Sequence, residues 1–418
     1  MWFGHISLPV LLVLPTWTAS STVQEVQVVT VIFGDALANG YTIQSPAYNV
    51  AFRQARLQYP DALANVTRHS IYMPGTFSCQ ESAALVPLLA MDLQDAIERH
   101  HGLSVLISPG CSLEVANLGD FARGNVAGDA SLKNIERFPT VVSFASSDHN
   151  SLVEATLRLL ELHAWSTVTL LCDDLTPGTL GGFSAAACRA LTAGLAQNYP
   201  KFTPNIRHFN WQSAGMNQTD LIANMLERTQ TESRVIVIFA ATAVLLRRIL
   251  IVAHRCGMSQ GDYVFLTLIP PKAPALGTVD WRFGDAEDQV AFVAFQSLIV
   301  IHNPNANWGA IPDVLQEIAN ETESIYNRTL TAEQFRSDLT IAGYEVVTSL
   351  AEILNESHQT LDLISGTTFR AKFLNRTFNQ RSRSFFIGDN GMRVCDVVLN
   401  RLNTTSGYLQ VRLLTDSN

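Results

Sequence analysis

Six cysteines and seven N-x-S/T triplets set the covalent chemistry open to this 418-residue chain. Cys79 stands ahead of the helix-like run "QESAALVPLLAMDL", and Cys111 follows the apolar run "LSVLIS" at a Pro-Gly turn. A helix followed by a strand returns the chain to a neighbouring place, so these two sulfurs either bridge or stay as buried thiols. A bridge would close a loop of about 32 residues and restrict the unfolded chain by roughly 3 to 4 kcal/mol in the loop-entropy description. Cys172, at a strand end, and Cys188, in the next helix, form a second candidate pair; Cys256 and Cys395 are left over.

Catalytic chemistry finds little to work with. There is no G-x-S-x-G elbow, no H-E-x-x-H, no G-x-x-x-x-G-K, and no G-x-G-x-x-G after the first strand. His100 and His101 are adjacent, so they point to different sides of a helix and cannot make an i, i+4 metal pair. They read instead as cations near a helix carboxyl terminus. Asp173 and Asp174 follow the run "TVTLLC" and read as solvated loop carboxylates. No catalytic residue, metal site or cofactor is assigned, and a secreted hydrolase would lack a recognisable nucleophile and base.

The compartment is legible at the N-terminus. Residues 1–20 hold an apolar core, Leu8 to Leu14, followed by Thr18, Ala19 and Ser20, the order of a secretory leader without its usual basic flank. Asn65, Asn217, Asn320, Asn327, Asn355, Asn375 and Asn403 each begin an acceptor triplet for N-glycans. A secreted or cell-surface chain follows, with cysteines at least partly oxidised. A net charge of -9 argues against nucleic acid and anionic membrane surfaces as partners. No apolar run reaches the roughly 18 residues of a membrane span.

Apolar strand-like runs alternate with helix-length segments almost from end to end, the pattern of parallel α/β sheets. "VQVVTVIFG", "HSIYM" and "LSVLIS" form a first series with helices over 49–58 and 80–100; "TVTLLC", "IRHFNW", "RVIVIFA" and "YVFLTLI" form a second. Two series predict two lobes. A surface loop is expected over 270–288, and antiparallel hairpins toward the C-terminus around the "DNG" and "TSG" turns.

At this point the residues resemble a known family. "RVIVIFAATAVLLRRILIVAHRCGMSQGDYVFLTLI", the turn "SPGCS", "GYEVVTSLAEILNES", "FNQRSRSFFIGDNGMRV" and "TSGYLQV" are similar, in order, to segments of the ectodomains of natriuretic peptide receptors and other receptor guanylyl cyclases. The resemblance spans about 26–414. It implies an α/β, two-lobed, type I periplasmic-binding-protein-like fold, each lobe a mainly parallel sheet flanked by helices, with a multi-crossing hinge. Residues 22–145 with 298–363 would make a membrane-distal lobe, and 146–297 with 364–418 a membrane-proximal one.

The resemblance also implies a Cys79–Cys111 disulfide. That bridge would pin a turn whose N–H groups at Gly110 and Cys111 face a chloride ion, with Thr76 or Ser78 supplying a hydroxyl. Two departures stand out. Cys188 falls where the family has its second disulfide, but the partner position is Phe239, so Cys188 pairs with Cys172 or not at all. A Trp-x-x-Pro strand of the first lobe has no counterpart in "GDFARGNVAGDASLKNIERFPTVVSF".

The leading expectation is an extracellular ligand-sensing domain of a receptor guanylyl cyclase, homodimeric by resemblance, without chemistry of its own. The chain ends at Asn418 without a span or a cyclase-like segment, which fits an ectodomain or a shed, decoy-like form. The alternative is a small-molecule module holding an amino acid or similar ligand between the lobes. Ser146, Ser147 and Asp148 would line that cleft at a strand-to-helix junction, where the same side chains can equally serve as plain helix caps.

Overall fold

The computed structural model describes residues 10–14, 25–35, 40–76, 79–100, 102–108, 136, 139–146, 149–173, 179–210, 218–269, 278–357, 365–403 and 407–413. The first lobe opens with β1 (Val10–Leu14), β2 (Val26–Phe33), α1 (Tyr41–Gln58), β3 (Val66–Met73), α2 (Cys79–Glu98), β4 (Leu103–Ser108) and β5 (Val141–Ser143). These strands make one sheet in the order β3-β2-β4-β1-β5. β2 runs parallel to β3 and β4, whereas β1 is antiparallel to both β4 and β5.

Period-two alternation decides which way each residue of the sheet faces. On β2, Val26, Val28 and Ile32 enter one core, while Val29 and Val31 enter the other. α1 lays Ala47, Tyr48, Ala51, Phe52 and Ala55 along one stripe against the first core. α2 covers the opposite face with Val86, Leu89 and Leu93. Both faces of a largely parallel sheet are thereby shielded from water, as such sheets require.

The second lobe contributes α3 (His149–Leu162), β6 (Thr167–Cys172), α4 (Thr179–Gln197), β7 (Thr203–His208), α5 (Gln218–Gln230), β8 (Val235–Phe239), α6 (Ala243–Arg255), β9 (Val264–Leu268), α7 (Asp288–Phe295) and β10 (Leu298–His302). The chain then returns to the first lobe. There it forms α8 (Pro312–Tyr326), α9 (Asp338–Ser357), α10 (Gly366–Ala371), β11 (Arg376–Asn379), β12 (Ser384–Ile387) and β13 (Arg393–Val394). It crosses back into β14 (Val397–Asn403) and β15 (Gly407–Leu413). The second sheet has the order β15-β14-β10-β9-β8-β6-β7, parallel from β7 to β10, with an antiparallel β14–β15 hairpin at its edge.

On β8, Val235, Val237 and Phe239 face α3 and α4, while Ile236 and Ile238 face α5, α6 and α7. α6 starts at Thr242, whose side chain accepts from Leu245 N as an N-cap. The stretch expected as a surface loop is described from 278 onward. It is tied down there by Arg247, which donates to Asp285, Asp288 and the Trp281 carbonyl.

Two expectations change. The lobe boundaries move: β10 hydrogen-bonds into the second sheet, so 298–302 belong to the second lobe. Phe369, Phe373, Phe378, Phe385 and Ile387 pack into the first lobe's core, so the return to the second lobe falls near 395 and not at 364. The physical reason is that the apolar faces of α10, β11 and β12 find their partners on α9 and Phe144. β1, cut from the leader-like segment, lies between β4 and β5 with Val10 opposite both Ser108 and Ser143.

Candidate functional site at the hinge and cleft

Among the described residues three chain crossings join the lobes, and they touch one another. The first leaves β5 through Phe144, Ala145 and Ser146; the second leaves β10 through Asn303 and Pro304; the third runs through Cys395 and Asp396. Cys395 Sγ donates to the Ala145 carbonyl at 3.4 Å. Asn303 Nδ2 donates to the Asp396 carbonyl at 2.8 Å and lies 3.4 Å from Ser151 Oγ. Backbone held by side chains from another crossing can rotate only as a unit, which is the behaviour of a hinge.

Beneath the crossings lies a buried ion network. Glu345 of α9 is fully buried and accepts from Arg383 Nε at 2.8 Å, Arg393 Nη1 at 2.7 Å and Ser382 Oγ at 2.6 Å. Arg383 also reaches Asp338 at 2.6 Å and the Pro304 carbonyl at 3.3 Å, and Arg393 reaches the Phe144 carbonyl at 3.4 Å. Burial works to raise the Glu345 carboxyl, but the two guanidiniums overcome it and hold the group ionised, below its ordinary range. His302, buried at the start of the second crossing, bonds the Asn303 carbonyl through Nδ1 at 2.7 Å and Asn400 through Nε2 at 2.8 Å. Burial lowers its pKa, so the ring is neutral near pH 7.

The first lobe's cleft wall stands at the carboxyl ends of β2 and β3. Asp35 accepts from the Tyr72 hydroxyl at 2.5 Å and from Gly75 N at 3.2 Å. Tyr72 stacks on Tyr41, centroids 4.0 Å apart, and burial with the Asp35 charge pushes its hydroxyl up to about 12. Thr76 is buried against Gly34, which has φ +66; a Cβ at Gly34 would fall 1.9 Å from the Thr76 carbonyl oxygen, so glycine is required. The Thr76 and Ser146 hydroxyls are buried without a hydrogen-bond partner among the described residues.

On the second lobe Asp173 is fully buried and accepts from Ala241 N at 3.2 Å, not solvated as its loop position suggested, because the turn after β8 folds over it. Cys172 and Cys188 are joined by a disulfide, with Cα atoms 6.1 Å apart. Ser78, Gly110, Cys111, Ser147 and Asp148 lie outside the described residues, as do the side chain of Cys79 and its expected bridge. Asn65, Asn320, Asn327, Asn355 and Asn375 are exposed.

Sequence reasoning missed Glu345, Arg383, Arg393 and His302. The one available signal was "RSRS", arginines two apart ahead of an apolar strand, which places two charges on one side of an extended chain. Among the described residues no cluster of His, Cys, Asp and Glu could hold a metal ion, and no helix is long and apolar enough to cross a membrane.

Comparison with known proteins follows the same lines. The profile of the ANF receptor family, described as receptor family ligand binding region, matches residues 60–405. Atrial natriuretic peptide receptor 3 of Mus musculus is 26% identical over 264 residues, covering 62% of this chain and 46% of that protein. The Homo sapiens counterpart is 35% identical over 79 residues, covering 19% and 15%. The chain thus spans about half the length of the mouse relative. A periplasmic binding protein of Burkholderia mallei superposes with a TM-score of 0.54 at 13% identity, covering 93% and 94% of the two chains. The leucine-binding protein LivK of Thermotoga maritima superposes with a TM-score of 0.51 at 12% identity, covering 93% and 98%. The fold is that of the type I periplasmic binding proteins.

Proposed function

This chain belongs to the receptor family ligand binding region family, and from that premise we propose that it is the extracellular ligand-sensing domain of a receptor-type guanylyl cyclase. The observation that carries the reading is a family match across both lobes of a clamshell whose three crossings interlock. A ligand that binds one arrangement of lobes or protomers better than the other shifts the population toward it, and an attached enzyme domain reads the shift. The chain itself performs no chemistry in this account. It is secreted or displayed at the cell surface after removal of residues 1–20, and glycosylated at Asn65, Asn320, Asn327, Asn355 and Asn375 at least.

Homodimerisation through α2 is part of the proposal. That helix exposes Leu88 and Met91, one turn apart and 56% and 64% accessible, an apolar pair in search of cover. Chloride is proposed at the turn carrying Gly110 and Cys111, with the unpartnered Thr76 hydroxyl as the side-chain donor. Peptide ligands are favoured by the named relatives. The second reading, a small molecule or free amino acid in the cleft, draws on the unpartnered Ser146 hydroxyl. A soluble decoy would bind the same ligand without a cyclase attached.

Thermal-shift titration of the glycosylated chain separates these readings. Stabilisation by a natriuretic-type peptide, and none by free amino acids, is the expected result. Stabilisation by an amino acid alone would move the function to the cleft. Cyclic GMP production by the purified chain would refute the assignment of a non-catalytic domain.

A further inference from the structure

We infer that the cavity between α1, β3 and α8 binds a small organic monoanion, its charged end held by Arg56 and Arg68 and its apolar body lying against Leu57. This cavity is remote from the hinge. Arg56, near the end of α1, donates to the carbonyl of Val66 at the start of β3, whereas the cleft wall stands where β3 ends.

The cavity holds about 440 Å³, within the range of small-molecule sites and large enough for one ring or chain, not for a folded partner. Three guanidiniums, Arg53, Arg56 and Arg68, line it against one carboxylate, Glu321. That carboxylate is already taken: Arg53 Nη1 binds it at 2.8 Å and Asn49 Nδ2 at 3.1 Å, and Arg53 is further occupied by Glu317 at 3.2 Å. Arg56 and Arg68 have no carboxylate partner among the described residues. Their acceptors among the described residues are neutral oxygens, the Val66 carbonyl at 3.1 Å for Arg56 and Asn49 Oδ1 at 2.7 Å for Arg68.

Arg68 is also preorganised. Its guanidinium lies 4.4 Å from the Phe52 ring centroid, and its Nε is buried without an acceptor. Burial, then the Arg56 charge, lowers its pKa, and the pull of Glu321 is smaller than either. An anion would relieve both. Arginine forks held in place by a ring favour oxyanions such as carboxylate or sulfate. Leu57, 82% accessible at the rim, offers apolar cover that an inorganic ion would leave unused.

Isothermal titration of the full chain with phenyl sulfate, inorganic sulfate and neutral benzyl alcohol tests the site. One phenyl sulfate per chain is expected, bound more tightly than either of the other two, with affinity falling about tenfold in Arg56→Gln as one charge-assisted contact is lost. Arg68→Gln should fall at least as far. Since it also loses the stacked contact, its melting curve is recorded alongside, and the exposed Arg56→Gln carries the test if it unfolds. Arg99→Gln, on α2's C-terminal side, should bind as the parent does. Unchanged affinity in Arg56→Gln, or no saturable binding of phenyl sulfate, overturns the inference. Equal binding of inorganic sulfate and phenyl sulfate overturns the role of Leu57.

Discussion

Glu345 is fully buried, and two guanidiniums and a hydroxyl stabilise its charge. Breaking a buried ion pair on one side strands the partner charge and costs about 3–5 kcal/mol. Glu345→Gln should therefore lower unfolding stability by that order in urea titration. Glu317→Gln, whose Arg53 contact lies at the surface, should cost under about 1 kcal/mol. His302 gives a pH dependence with a definite sign. Its folded pKa lies below the ordinary 6.5, so the unfolded chain takes up the proton first as pH falls. The stability it confers is complete above about pH 6.5 and is lost as pH drops toward the folded pKa. The melting temperature should fall between pH 7 and 5, and His302→Asn should flatten that slope; an unchanged slope would remove His302 from the account. None of this was legible beforehand. Glu345 sits in a helix that reads as ordinary amphipathic sequence, and its arginines arrive from roughly forty residues later, a separation that local pattern cannot see.

Elements were the most legible scale. The strands β2, β4, β6, β8 and β9 follow from their largely apolar runs, because a parallel sheet covered on both faces favours near-continuous apolar sequence. The sequence predicts a helix from residue 49, but α1 begins at Tyr41, since Pro46 looks like a boundary yet lies buried inside the helix. The disulfide between Cys172 and Cys188 ties β6 to α4 across 16 residues. Replacing both by alanine should cost about 3 kcal/mol in the loop-entropy description, read as a lower urea midpoint. β1 raises a sharper question, since it is built from the core of the proposed leader. Mass spectrometry of the secreted protein should find a mature N-terminus after residue 20. Amides of Leu103–Ser108 that β1 had covered should then exchange faster than in unprocessed protein. A secreted chain that keeps residues 10–14 would make β1 a permanent strand and end the leader proposal.

At the scale of the molecule, two lobes and a hinge of several crossings were predictable from two alternating series, whereas the positions of the crossings were not. Their positions depend on which core accepts α10, β11 and β12, and the rings of Phe144, Phe373, Phe378 and Phe385 settle that by packing together. Asn303 spans two crossings, so Asn303→Ala should loosen the hinge and widen the distribution of lobe separations seen by small-angle X-ray scattering, with little change in either lobe's hydrogen-exchange protection. The account's central claim is that this clamshell senses a ligand and performs no reaction. Equilibrium binding of a labelled natriuretic-type peptide to the glycosylated chain, followed by scattering at saturation, tests it most directly. Saturable binding with a change in lobe or protomer spacing is the expected result, and a peptide that neither binds nor alters the scattering curve would contradict it.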